Sequence, residues 1–322
     1  MSRNLVSILK NDFGVDEATF IEAINDPKNA SAKGSILGAI SEVLLKKLLI
    51  KENFEVHRIK EKPEGGFRNK NNEARGDFYI KKKNEKNNKW IVVESKGLKS
   101  NAEEFFLKDS NTRDKCYNYL LGKLSKTKKE TYNRGYKDYL KAKEIWEKKN
   151  KNKTFPKFTW SKDFPGLETY DLNNLWKDQE DLKNWIKSLP DKLFEPKNFY
   201  FGKGAISLLL THMPSTRIGK ITNIKSTGPL KYEFGILVLD LFFRTGKHEF
   251  IFASSNDLNH QAKSPEHLPQ NYTVDIMPYG LKQEPTINFP WYKTIDECIK
   301  KGNPVYRKLD KTQIDERQTD QR

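Results

Sequence analysis

The sequence predicts a chain of mixed α/β (α+β) class, and three observations carry that reading. Residues 34–51 repeat apolar side chains at helical spacing. Short β-rich runs follow at 54–59, 78–80 and 90–93. Farther on, 205–213 reads as a buried strand, and 233–243 with 247–253 as a strand pair around Arg244-Thr245-Gly246.

At the N-terminus two short helices are expected, Leu5–Asn11 and Asp16–Asn25, broken around Phe13-Gly14. Asp16-Glu17 supplies a start signal for the second, and Phe20, Ile21 and Ile24 its apolar positions. Residues 1–30 thus form a helical segment, either a small cap or a dimerisation arm. The next helix, 34–51, presents Ile36, Leu37, Ile40, Val43, Leu44, Leu48 and Leu49 as a broad apolar face. Gly34, Gly38 and Glu42 form another stripe at four-residue spacing, and glycine there predicts close approach by a neighbour.

A first strand is expected at 54–59, then a turn-rich loop at 63–72 with Gly65-Gly66. Arg68, Lys70 and Arg75 either meet phosphates or are simply solvated. The stretch Ala74–Leu98 organises the chain: Asp77 opens one strand, a polar Asn/Lys-rich segment connects, and Trp90–Val93 leads into Glu94-Ser95-Lys96. A loop centred between Glu85 and Lys86 puts Asp77 opposite Glu94, with Cβ atoms ~5 Å apart in such a pair. Lys96 shares the face of Glu94, while Ser95 points away. Two carboxylates repel unless a hard cation such as Mg²⁺ takes them as oxygen ligands, and such a cation acidifies its bound water. With a lysine beside it, the cluster points to phosphodiester hydrolysis.

Asp77 followed by Glu94-Ser95-Lys96, at the end of WIVVESK, resembles the PD-(D/E)xK nuclease superfamily, in particular type II restriction endonucleases. The likeness covers residues 34 to 98, with Gly76 where that family usually has proline. It implies a central mixed sheet flanked by helices. It also implies that Asp77, Glu94 and the Ser95 carbonyl bind Mg²⁺, that Lys96 positions or activates the water, that 5′-phosphate ends result, and that Glu42 is the glutamate lent by the preceding helix. Glu147-Lys148-Lys149 and Glu195-Pro196-Lys197 share the ExK pattern but follow no such strand.

After Gly97, a helix is expected at 101–107 and another at 113–124. Residues 123–157 carry 13 basic against 4 acidic side chains, and a helix is expected at 129–149 with Tyr132, Tyr136, Tyr139 and Trp146 on one stripe. It is read as a basic arm tracking phosphates, its aromatics packing on the body. A helix at 179–188 ends before Pro190. The resulting division is a catalytic core with its basic arm at 31–155, a C-terminal β-containing DNA-recognition region at 156–310, and a polar tail at 311–322 expected to fray; the two main parts either stand apart or share one core. Candidate DNA contacts are Arg68, Arg75, Lys99, Arg134, Arg217, Lys220, Arg244, Lys247 and His248, each otherwise a surface charge.

Composition fits these expectations. With 59 Lys and Arg against 43 Asp and Glu the chain carries +16, a field that favours polyanions. Its two cysteines form no CxxC pair, so neither a zinc module nor a disulfide scaffold is expected. No uncharged apolar run nears the ~20 residues of a membrane helix, and no signal peptide is read, so a cytoplasmic location is expected. GxGxxG and GxxxxGK[ST] loops are missing, which argues against a nucleotide cofactor. The expected partners are double-stranded DNA and a second copy in a homodimer, since cutting both strands of a palindrome suits two-fold symmetry. A structure-selective repair nuclease and a non-catalytic nucleic-acid-binding protein are the alternatives.

Overall fold

The structure is a computed structural model. It describes residues 4–26, 30–60, 74–97, 103–105, 112–124, most of 137–151, 178–194, 206–212, 216–220, 224–258 and much of 261–315. Arg68, Lys99, Arg134, the loop 63–72 and most of the basic stretch 123–157 lie outside the described residues; the described positions between 137 and 149 are mainly helical.

The fold is α+β, a mixed sheet flanked by helices. The helices are α1 (Leu5–Ile8), α2 (Glu17–Asn25), α3 (Ala30–Lys51), α4 (Arg113–Leu124), α5 (Gln179–Ser188), α6 (Phe242–Thr245) and α7 (Ile295–Gly302). The strands are β1 (Phe54–Arg58), β2 (Phe78–Lys82), β3 (Trp90–Gly97), β4 (Glu103–Phe105), β5 (Ile206–His212), β6 (Thr216–Ile218), β7 (Lys225–Thr227), β8 (Ile236–Asp240), β9 (Phe250–Ser254), β10 (Asn271–Pro278) and β11 (Tyr306–Arg307). The central sheet runs β1-β2-β3-β8-β9, with β11 also paired to β3. The β1-β2-β3 meander is antiparallel, and β8 joins β3 in parallel.

Side chains alternate across the sheet, so each face has its own core. Phe78, Ile80, Ile91, Val93, Ile236 and Val238 pack with Leu45 and Leu49 of α3 and with Ile295 and Cys298 of α7. Tyr79, Trp90, Val92, Leu237 and Leu239 pack on the other face with Tyr272, Val274 and Trp291. The buried stripe of α3 is Ser41, Leu45 and Leu49; of the predicted face Leu49 is buried, Leu37, Leu44 and Leu48 are half-buried, and Ile36, Ile40 and Val43 are exposed. The helix is apolar around much of its circumference, and the sheet selects which stripe it covers. Gly34 and Gly38 serve no close approach, because a Cβ at either would meet nothing within 4 Å among the described residues.

The expected pair at 233–243 and 247–253 exists as β8 and β9, in register from Ile236↔Ser254 to Asp240↔Phe250, joined through the turn α6. β8 lies next to β3, so the central sheet draws on both sides of the boundary read at 155. The cause is a parallel pairing between strands more than a hundred residues apart, which no local pattern announces.

Two further expectations are corrected. Residues 103–105 form β4, an antiparallel partner of β5 in a second, three-stranded sheet, instead of a helix. Pairing with Leu209, Leu208 and Ser207 overrides the local helical signal read at 101–107. The tail does not fray before residue 315. Gln313 is buried and accepts hydrogen bonds from the Tyr79 hydroxyl (2.7 Å) and the Ala74 N–H (3.3 Å), and the Asp315 N–H donates to the Arg58 carbonyl at 2.9 Å.

Candidate functional site

β2 and β3 pair with Phe78 opposite Val93 and Ile80 opposite Ile91, the register that a loop centred between Glu85 and Lys86 sets. One step beyond Phe78, Asp77 lies beside Glu94. The Asp77 N–H donates to the Val93 carbonyl at 2.8 Å, and its carbonyl accepts from Ile59 at 2.9 Å, so backbone bonds from both sides fix the residue. Gly76 fits because the chain presses on β3 there: a Cβ would stand 2.6 Å from Val92 Cγ1 and 2.7 Å from the Val93 carbonyl oxygen. Glycine, or nothing with a side chain, satisfies that approach.

β3 runs through its predicted apolar run to Gly97, so Glu94, Ser95 and Lys96 close the strand as read. Alternation places Asp77, Glu94 and Lys96 on the face of Tyr79 and Val92, and turns the buried Ser95 toward the α3 side. Asp77 Oδ2 accepts the Ser95 N–H at 2.6 Å. The Lys96 ammonium is ion-paired with Glu94 and donates to the Ser95 carbonyl at 3.1 Å.

Burial, and then the charge of Glu94, push the Asp77 carboxyl up to about 7, against the opposing pull of Lys96 and the Ser95 N–H. Burial works against the Lys96 ammonium, but Glu94 and Asp77 outweigh it and hold its pKa above the ordinary value. The site therefore carries more negative charge than its one lysine balances.

Glu42 reaches the same neighbourhood from α3. Burial raises its pKa, followed by the charge of Asp77, while Arg58 and Lys96 oppose the rise. Arg58, at the end of β1, holds Glu42 at 2.5 Å and lies 5.9 Å from the Phe78 ring centroid. The sequence reading passed over Arg58, although as the last residue of β1 it stands opposite Phe78, the residue after Asp77. Arg58→Ala is expected to cost about 1–2 kcal/mol at pH 7 by leaving a half-buried carboxylate without its partner. Denaturant titration should show that loss shrinking at acid pH, where Glu42 is neutral in both states.

The other candidates are dispersed. Arg75 and Arg217 both pair with the buried Glu233, at 3.3 and 2.8 Å. Lys220 sits over the Tyr232 ring, 5.0 Å from its centroid. Lys247 is exposed, and Arg244 lies on α6 with its side chain outside the described residues. His248 Nδ1 lies 2.6 Å from Asp240 Oδ2, and its ring stacks on Phe242 at 4.3 Å. Asp240 is opposite Gly97, so this pair stands one strand over from Lys96.

Among the described residues no group of three or more His, Cys, Asp or Glu is placed to hold a metal ion. Asp77 and Glu94 with the Ser95 carbonyl make a smaller, all-oxygen set. Such a set suits Mg²⁺, which is held through one or two carboxylates and otherwise by water and substrate oxygens. The bridging position of the Lys96 ammonium, bound to both Glu94 and the Ser95 carbonyl, marks where these oxygens already converge on positive charge. No described helix is long and apolar enough to cross a membrane. Comparison with protein-family models, curated proteins and solved structures gave no match to this chain.

Proposed function

We propose that this chain is a Mg²⁺-dependent endonuclease of the PD-(D/E)xK kind, acting as a type II restriction enzyme on double-stranded DNA and leaving 5′-phosphate ends. The observation that carries the reading is Asp77 beside Glu94, with Lys96 on the same sheet face and the Asp77 carboxyl held near 7 by burial and then by the charge of Glu94. The mixed sheet with α3 on one face agrees with a restriction-endonuclease-like core, and the +16 charge favours a polyanionic substrate.

In this reading Asp77, Glu94 and the Ser95 carbonyl would hold Mg²⁺, whose chemistry when bound would be to acidify a water and offset phosphate charge. Lys96 orients the attacking water and neutralises charge building on the phosphoryl oxygens. Glu42, paired with Arg58, stands at the edge of the cluster as a further carboxylate. Contacts to DNA fall to exposed cations such as Lys247, and a homodimer would present two sites to the two strands.

Incubation of mixed-sequence DNA with the protein and Mg²⁺ is expected to give discrete fragments with 5′-phosphates, absent in EDTA. Lys96→Met should slow the reaction by about 10²–10³-fold, the usual scale for loss of one proton-handling or charge-stabilising group. A smear would favour a structure-selective or non-specific nuclease. Intact DNA retarded on a gel would leave a nucleic-acid-binding protein.

A further inference from the structure

Tyr272 on β10 belongs to the core cluster on the sheet face that carries Glu94, packed in the same cluster as Val92 and Leu237. The residue is 5% exposed, and its hydroxyl has no hydrogen-bond partner among the described residues. A phenol O–H stranded in a core costs about 1–3 kcal/mol, so an acceptor within reach in some state of the protein is the ordinary expectation. The carboxylate on that face is Glu94, two residues from Val92 on β3 and opposite Leu237 of the same cluster, and its charge, after burial, raises the phenol's pKa. One Glu94 oxygen is taken by the Lys96 ammonium.

We infer that Tyr272 is a positioning residue for Glu94, its hydroxyl donating to the Glu94 carboxylate when that carboxylate leaves Lys96 to ligate a divalent cation. The inference rests on the nuclease reading. Its physical content is a choice between two donors. An ammonium neutralises Glu94 and competes with a cation, whereas a neutral phenol fixes the carboxylate and leaves its full charge for the metal. Hydrogen bonds of this kind to a ligating carboxylate typically change metal affinity by 10–100-fold.

The test is calorimetric titration of Mn²⁺ into the full chain without DNA, for the unaltered protein, Tyr272→Phe and Asp77→Asn, with thermal unfolding of each in EDTA. Tyr272→Phe is expected to bind Mn²⁺ about 10–100-fold more weakly while unfolding in EDTA at the same or a higher temperature, because the stranded hydroxyl is gone. A core-filling role alone would not move these two readouts in opposite directions. Equal Mn²⁺ affinity in Tyr272→Phe, with binding lost in Asp77→Asn, would overturn the role of Tyr272 and leave the nuclease reading standing. Lower stability of Tyr272→Phe in EDTA would show that the hydroxyl already has a partner, and would also overturn it. Absence of saturable Mn²⁺ binding by the unaltered protein would overturn both.

Discussion

Asp77→Asn should yield a protein that is more stable than its parent at pH 8 in EDTA and yet catalytically dead. The ordinary Asp value is 3.8, and in the folded chain burial and Glu94 raise it to about 7. Between those values the unfolded chain releases its proton before the folded one does, so stability falls as pH climbs from about 4 to about 7. Below that window the carboxyl is protonated in both states and contributes nothing. Asparagine removes the charge but keeps an oxygen to accept the Ser95 N–H. A gain of about 2 kcal/mol at pH 8, several degrees in the melting temperature, should therefore fade to nothing near pH 4. It is smaller than the whole shift implies, because solvent still reaches the carboxyl edge. In the same variant the loss of a ligating carboxylate should reduce Mg²⁺-dependent cleavage by at least about 10³-fold, roughly 4 kcal/mol of transition-state stabilisation. A buried, charge-crowded site that costs stability in the metal-free protein is what a metal-assisted hydrolase would retain.

Glu233→Ala should be the most damaging single substitution for folding in this part of the molecule. Glu233 is 5% exposed and accepts from Arg217 Nε at 2.8 Å and from the Leu230 N–H at 3.1 Å, and it pairs with Arg75 at 3.3 Å. Its backbone carbonyl also accepts the Arg75 N–H at 3.1 Å, which ties down the chain two residues before Asp77. Alanine would take the shared carboxylate away from two guanidinium groups and the side-chain acceptor away from one buried N–H, a loss of about 3–4 kcal/mol measurable by urea or guanidinium unfolding. Glu233→Gln, which keeps an acceptor for Leu230 but not the charge, should fall between the two. Cleavage measured well below the melting temperature should drop as well, because the approach to Asp77 loosens.

The residues of the candidate site were the most legible. Alternation and turn composition were enough to set Phe78 opposite Val93, and so to bring Asp77 beside Glu94, because both depend on a short connection. The helices at 113–124 and 179–188 were likewise read from local sequence, the second from its stop before Pro190. What stayed hidden depends on distant partners. Nothing near 236–240 announces that it will pair in parallel with β3, nor does the sequence near 313 reveal that a glutamine will accept from Tyr79. The roles of Arg58, Glu233 and Tyr272 arise only when α3, β10 and the turn before β8 close around the sheet. Arg75 and Arg217, read from the sequence as DNA contacts, are drawn inward by Glu233, a carboxylate that the expected strand had treated as ordinary.

The most direct measurement is conversion of supercoiled plasmid DNA by the purified protein in Mg²⁺, in EDTA, and with Asp77→Asn in place of the parent chain. Nicked and linear products with the parent chain in Mg²⁺ alone are the predicted result. Intact plasmid under all three conditions, or equal cleavage by Asp77→Asn, would contradict a metal-dependent nuclease centred on Asp77 and Glu94.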